Sequence, residues 1–585
     1  MYDILNTING PADVKKLSAN QLEQLASDIR EALFNRLTKI GGHFGPNFGI
    51  VETEIAMHYV FDSPRDKFVF DVSHQSYPHK MLTGRKAGYI ADEHFREDSG
   101  YTNPDESAHD LFNVGHTSTS ISLASGLVKA RDLKGEKYHV IALIGDGSLS
   151  GGEALEALDF TGSEIHSNFI IIVNDNQQSI AEVHGGLYQN LAELRQTKGK
   201  SANNFFKALG LDYIYEENGN DIGAMIKVLE YVKNVDHPIV VHINTQKGKG
   251  YKIAEENREA WHWCLPFDRK TGNYTVSFPD ESYTSLTTEY IFSKAQKDKD
   301  FVFITPAMPN LFGLSPDLRS KMGVQYVDTG ITEEHAIAMA SGVAKAGGKP
   351  LVGTAATFIQ RTYDQVSQDV CLNNNPVTIL LNFASIDGLT DVTHLGIFAL
   401  SAFSNIPNLV MLAPTCKSEY LNMLDWSVDQ KDHPVMILMP GNAVTDRPVD
   451  RDFTLNTFKV EQSGKKVAIL ALGDFYQRGE ELAKEIEKDL GFEPTLINPR
   501  FANGLDEQVL TDLQKNHDLV ITLEDGILDG GFGQKVATFY ADKNMKVKTY
   551  GLKKEFYDRY DPKELLKQLG MTPSQIIADI KKLIK

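Results

Sequence analysis

Short apolar runs recur along the chain, separated by stretches with helical spacing. The first third carries VIALI at 140–144, FIIIV at 169–173 and IVVHI at 239–243. A second series follows from Phe301: FVFIT, QYVD, PLVGTA, VTILL, LVML and VMIL. A third starts near Lys465 with VAILAL, a helical pattern over QRGEELAKEIEKDL, then TLIN, LVITL and a helical C-terminus. Unbroken runs of this length between helices predict strands buried on both faces, hence parallel sheets. The expected fold class is α/β, with three α/β domains and mainly parallel sheets. The expected domains are 1–280, 285–450 and 455–585. Residues 265–285 lack long apolar runs and read as a linker. Residues 182–206 are polar, hold Gly185-Gly186 and Lys198-Gly199-Lys200, and read as a mobile surface loop.

Composition narrows the class. The 585 residues suggest roughly four domains by length alone, and the pattern reduces that to three. A net charge of −19 argues against a general nucleic-acid or anionic-membrane binder, which needs a basic face. Cys264, Cys371 and Cys416 are too few and too scattered for a disulfide framework or a Cys-rich zinc site. They fit a reducing, cytoplasmic setting. The N-terminus shows no basic segment followed by an apolar one, so no signal peptide is expected. No apolar run approaches a membrane span.

The sharpest chemical signal is a pair of strand ends. VIALI runs into Gly145-Asp146-Gly147, and FIIIV runs into Asn174-Asp175-Asn176, with a helical pattern between. A βαβ crossover brings both ends to one sheet edge, where open α/β folds bind ligands. A carboxylate (Asp146) and a carboxamide (Asn176) are hard oxygen ligands, and a nearby carbonyl adds a third. They leave Mg²⁺ positions for phosphate oxygens and water, the usual arrangement for a bound diphosphate. Gly147 and Ser148 are small enough to let backbone approach it. A lone GDG is ordinarily a turn; the second motif makes it specific. No P-loop and no strand-following G-x-G-x-x-G is present.

A strand ending in GDG, then one ending in an Asn pair about thirty residues on, resembles the thiamine diphosphate signature of the transketolase superfamily. Further segments resemble 1-deoxy-D-xylulose-5-phosphate synthases: DVSHQSYPHKMLTGR, GHTSTSIS, ITPAM, ITEEHAIAMASG, TFIQRTYDQV and LEDGILDGGFG. The resemblance covers nearly the whole chain and implies a transketolase-like fold binding thiamine diphosphate and Mg²⁺. It implies decarboxylation of pyruvate and transfer of the two-carbon unit to an aldehyde, a step in isoprenoid precursor biosynthesis. It implies Mg²⁺ on Asp146, Asn176 and Gln178. Cofactor contacts fall on His74, Gly115, His116, Thr117, Gly147, Ser148, Asn176, Tyr251, Glu333 and Phe358. Glu333 matches the carboxylate at N1′ of the aminopyrimidine, and Phe358 the stacking ring. Neighbouring Glu334 reads as an ordinary charge near a helix N-terminus. His43, His262 and His394 match proton-transfer positions, since imidazole titrates near neutrality. Arg361 matches a substrate-side arginine. His58, His79 and His335 read as structural or peripheral. Relatives are homodimers, which makes a homodimer the expected assembly. The cleft lies within one chain in synthases and across subunits in transketolases, and both stay open.

The acceptor side departs from the family. Phe383 and Pro440 stand where the family has arginines, Ala355 where it has tyrosine, and Thr390 where it has aspartate, with Asp391 adjacent. Ser73 stands for a glycine and Asn220 for a histidine, and the segment after Asn176 is shorter. Each charge-assisted phosphate contact is worth roughly 1.5–3 kcal/mol, so losing two weakens phosphate binding by about two decades or more. An acceptor other than glyceraldehyde 3-phosphate is therefore the alternative expectation. A transketolase-type enzyme, an α-ketoacid dehydrogenase component and a non-catalytic relative are the competing classes. The retained Glu333, Asp146 and Asn176 argue against the last.

Overall fold

The computed structural model describes residues 2–181, 185–449 and 453–584. Among the described residues sixteen strands form three sheets. The first contains β1 (Lys67–Phe70), β2 (Val140–Gly145), β3 (Phe169–Asp175), β4 (Asp212–Glu216) and β5 (Pro238–Asn244), in the order β1-β2-β3-β5-β4. The second contains β6 (Phe301–Thr305), β7 (Tyr326–Asp328), β8 (Lys349–Ala355), β9 (Thr378–Asn382), β10 (Val410–Leu412) and β11 (Val435–Leu438), in the order β10-β11-β9-β8-β6-β7. The third contains β12 (Lys459–Gln462), β13 (Lys466–Ala471), β14 (Thr495–Asn498), β15 (His517–Ile527) and β16 (Lys546–Leu552), in the order β12-β14-β13-β15-β16. Every pairing is parallel except β12 with β14. The α/β expectation holds.

The chain separates into two compact units, Met1–Phe278 with Gly330–Thr332, and Pro279–Thr329 with Glu333–Lys585. The second unit holds two sheets because they share one apolar core. Ile304, Val352 and Ile379 of the second sheet cluster with Ala468, Leu470 and Val520 of the third. In the first unit, apolar layers cover both faces of the central strands. Ala142, Ile144 and Ile171 face one cluster; Ile141, Leu143 and Ile170 face the other. That double burial is why these runs are apolar at every position rather than at alternate ones.

One expectation is corrected. Residues 182–206 are not a loop throughout. Gly186–Gln196 is a helix, and its Tyr188, Leu191 and Leu194 are buried in the core beside β2 and β3. Their three-residue spacing forms an apolar stripe that the polar average of the segment hid. Residues 182–184 of that expected loop lie outside the described residues.

Candidate active site

In the first unit, β2 and β3 pair in register from Ile141↔Ile170 to Gly145↔Asn174, joined through the helix Gly152–Glu164. Asp146 therefore leaves the sheet edge next to Asn174, Asp175 and Asn176. Asp146 is 1% exposed; its Oδ1 accepts from the Gly147 amide at 3.0 Å, while Oδ2 is buried with no hydrogen-bond partner among the described residues. Burial, with the neighbouring Asp175, holds its carboxyl well above the ordinary aspartate range. Asp175 is driven the other way: His242 Nε2 lies 2.8 Å from its Oδ2, and Arg195 pairs with the same oxygen. A buried carboxyl with an orphaned oxygen beside an ionised one is an environment that a divalent cation suits. Asn176 is buried, and its Oδ1 accepts from the Gln178 amide at 3.2 Å. At Gly147 an added Cβ would lie 2.9 Å from Ser179 Cα, so only glycine leaves the backbone free to approach a ligand.

The loop Gly115-His116-Thr117 is pinned to this edge from behind. The Ser118 and Ser120 amides donate to Asp71, at 2.9 and 3.0 Å, and Ser118 Oγ donates to the Ser148 carbonyl at 2.8 Å. Ser73, at φ +61°, occupies backbone space that favours glycine. Its hydroxyl offsets this by donating to Val114 O at 2.6 Å and accepting from Thr102 N at 2.8 Å.

His43, His74 and His262 come together from distant parts of the sequence. Their ring centroids are 5.1 Å (His43–His74), 5.3 Å (His74–His262) and 5.8 Å (His43–His262) apart. Burial pushes His74 down to about 3 and His262 well below the usual histidine range, so both are neutral near pH 7. Asn47 fixes the His74 segment by donating to its carbonyl at 2.7 Å. His58 and His79 belong elsewhere: His58 Nε2 lies 3.0 Å from His79 Nδ1, and His79 Nε2 lies 2.9 Å from Asp110. Both are buried, as structural histidines should be.

Tyr251 lies in an aromatic cluster of the first unit. It is 9% exposed, packs against Phe34, Phe44 and Trp261, and donates its hydroxyl to the Arg269 carbonyl at 2.9 Å. Core packing accounts for it without a ligand. Asn220 spends its amide as a brace, donating to Gly49 O and Glu52 and accepting from Gln246 N. One residue absent from the sequence reading belongs at this edge. Lys247 is buried, donates to Ser179 O at 2.7 Å, and is pulled down to about 7 by burial. Its charge is felt at Asp146, His74 and His262. The run Gln246-Lys247-Gly248-Lys249-Gly250 just after β5 was its only signal.

In the second unit, Glu333 opens the helix Glu333–Lys345. It is 4% exposed, and burial pushes its carboxyl up to about 7. Arg361 lies 3.8 Å away, and Glu333 Oε2 has no hydrogen-bond partner among the described residues. Glu334 is only partly buried and His335 is exposed. The fold thus separates the adjacent glutamates that sequence alone left together. The Phe358 ring meets His394 edge-on, with centroids 5.6 Å apart. His394 Nδ1 lies 2.8 Å from Thr393 Oγ1, which Asp391 holds at 2.8 Å.

Ala355 pairs with Asn382, and Leu438 with Leu381. Ala355, Phe383 and Pro440 therefore emerge side by side from three adjacent strands, β8, β9 and β11. The departures in the acceptor segments share one sheet edge.

Residues 5–202 and 196–245 match the family model described as 1-deoxy-D-xylulose-5-phosphate synthase. A 1-deoxy-D-xylulose-5-phosphate synthase from Caldanaerobacter subterraneus subsp. tengcongensis is 38% identical, over 98% of each chain. The chain belongs to the 1-deoxy-D-xylulose-5-phosphate synthase family. Another member, 1-deoxy-D-xylulose-5-phosphate synthase 1 of Geobacter sulfurreducens, is 36% identical over 99% of this chain and 97% of its own. The Clostridium botulinum synthase is 36% identical over 98% of each. Residues 282–446 match the transketolase pyrimidine-binding domain and 456–576 the transketolase C-terminal domain. Membership of the synthase family implies thiamine diphosphate as cofactor.

Proposed function

We propose that this chain is a thiamine diphosphate- and Mg²⁺-dependent transferase that decarboxylates pyruvate and joins the remaining two-carbon unit to an aldehyde. The bond between C1 and C2 of pyruvate breaks and releases CO₂. A new bond joins C2 to the aldehyde carbon, the aldehyde oxygen takes one proton from solvent, and a 1-deoxyketose results with no net redox change. Bound thiamine diphosphate supplies the electron sink that the decarboxylation requires.

Glu333 carries the reading. A buried carboxyl raised to about 7 can hold or release a proton at neutral pH, as a partner for the aminopyrimidine N1′ must. Arg361 steadies its charge, and Phe358 offers a stacking face. In the other unit, Asp146 Oδ2, Asn176 Oδ1 and the Gln178 carbonyl would hold Mg²⁺. The backbone at Gly115, His116, Thr117, Gly147 and Ser148 would receive the diphosphate, with Lys247 as an added cation. Neutral His74 and His262 can each donate and accept, and His43 and His394 can move protons at the oxygens of donor and acceptor. Three thiols are buried and free, which suits a reducing, cytoplasmic setting. A homodimer is the proposed assembly, to be read by light scattering.

The test is pyruvate-dependent CO₂ release with a panel of aldehydes, the products identified by mass. Glu333→Ala is expected to abolish turnover with every acceptor; retained turnover would refute the assignment.

A further inference from the structure

The sheet edge that carries Phe383 and Pro440 is acidic. Phe383 follows directly on β9 and Pro440 stands two residues after β11, adjacent parallel strands, at the edge where open α/β sheets bind ligands. Phe383 holds φ +59°, and its carbonyl would lie 1.9 Å from a Cβ at Gly396, so that backbone is tightly fixed. Two residues on, Ser385 Oγ donates to Asp525 at 2.6 Å and the Ile386 amide donates to the same carboxyl at 2.9 Å. One residue after Pro440, the Gly441 amide donates to Asp474 Oδ2 at 2.8 Å. A Cβ on Gly441 would lie 3.0 Å from Ser385 Cβ, so the two segments touch. Asp474 Oδ1 is buried and has no hydrogen-bond partner among the described residues. Arg478 lies 3.7 Å from a third carboxyl, Asp387.

We infer that the aldehyde acceptor of this chain is an unphosphorylated hydroxyaldehyde, selected by Asp474 and Asp525 behind an apolar wall of Phe383 and Pro440. The inference rests on the function proposed above and names its acceptor class. A phosphate dianion at this edge would meet Asp474 and Asp525, with the Arg478 guanidinium drawn toward Asp387, whereas hydroxyl groups donate to carboxyl oxygens and one such oxygen is unspent. Burial, with Asp387 nearby, raises Asp474 to about 6, and burial with the Asp474 charge raises Asp525 to about 8, so near pH 7 Asp525 keeps its proton and a bound phosphate would meet the Asp474 charge. The reaction is the one balanced above, with D-glyceraldehyde in place of its 3-phosphate.

The experiment uses the full chain loaded with thiamine diphosphate and Mg²⁺. It compares kcat/KM for D-glyceraldehyde and for D-glyceraldehyde 3-phosphate at saturating pyruvate, with CO₂ and product both measured. The unphosphorylated acceptor is expected to lead by about ten-fold or more, and Asp474→Asn with Asp525→Asn to shift the ratio toward the phosphate by about ten-fold. Pro440→Arg, which leaves both carboxyls in place, should shift the ratio the same way. A ten-fold preference for the phosphate in the unaltered enzyme, or a ratio unmoved by either change, would overturn the inference while CO₂ release upheld the function. Absence of CO₂ release with every acceptor would overturn both.

Discussion

Glu333 and Glu334 are neighbours in sequence, and only Glu333 is withdrawn from water. Its carboxyl, raised from 4.5 to about 7, keeps a proton in the folded chain that the unfolded chain has already lost. The stabilisation from that proton is complete below pH 4.5 and is lost as pH rises through 7. Glu333→Gln should therefore leave the cofactor-free protein's stability unchanged at pH 4.5 and raise it at pH 8, by up to about 3 kcal/mol. Urea denaturation at the two pH values checks this. At Asp146 the expectation concerns binding. Asp146→Ala removes the orphaned oxygen, so calorimetry should find thiamine diphosphate bound at least about ten-fold more weakly in Mg²⁺. Unchanged affinity would remove Asp146 from the proposed metal site.

The elements differ in how plainly they are written in the chain. Central strands such as β2, β3 and β13 are apolar at nearly every position because both faces are covered. Four strands fall outside the apolar runs: β1, β4, β12 and β16. All four are edge strands of the first and third sheets. An edge strand is partly solvated, so its sequence mixes polar residues and loses the signal, as the exposed positions of β4 and β12 show. The helix Gly186–Gln196 escaped notice for a related reason. Tyr188, Leu191 and Leu194 anchor it with Leu187 packed beside them, and Gln189, Asn190, Glu193, Arg195 and Gln196 make the segment polar on average. Leu191→Ala should cost about 2–5 kcal/mol, measured by denaturation, because the side chain is fully buried. A surface loop would tolerate the change. Its amides should also exchange slowly with deuterium.

At the scale of the whole molecule, the chain forms two compact units although it contains three sheets, with the main division between Phe278 and Pro279. The stretch around the division is exposed and lacks regular structure, and Phe278 is 63% exposed. Brief chymotrypsin treatment should cut there first and leave the second and third sheets in one fragment, identified by mass. A first cut inside that fragment would contradict their shared core. Among the described residues no helix is long and apolar enough to cross a membrane.

The sequence alone determined the α/β class, the central strands, the Asp146–Asn176 pair and the family. Those features are local: strand burial writes itself as apolar runs, and cofactor chemistry demands fixed residue types at fixed strand ends. It also exposed the substitutions at Phe383 and Pro440. Tertiary structure decided what depends on distant segments meeting. It gathered His43, His74 and His262, buried Lys247 beside Asp146, and withdrew Glu333 while leaving Glu334 partly exposed. It moved Tyr251 into the aromatic core. It set Asp474 and Asp525 against the edge that carries Phe383 and Pro440. Burial and charge proximity fix those environments, and both are properties of the folded chain, set by residues hundreds of positions apart.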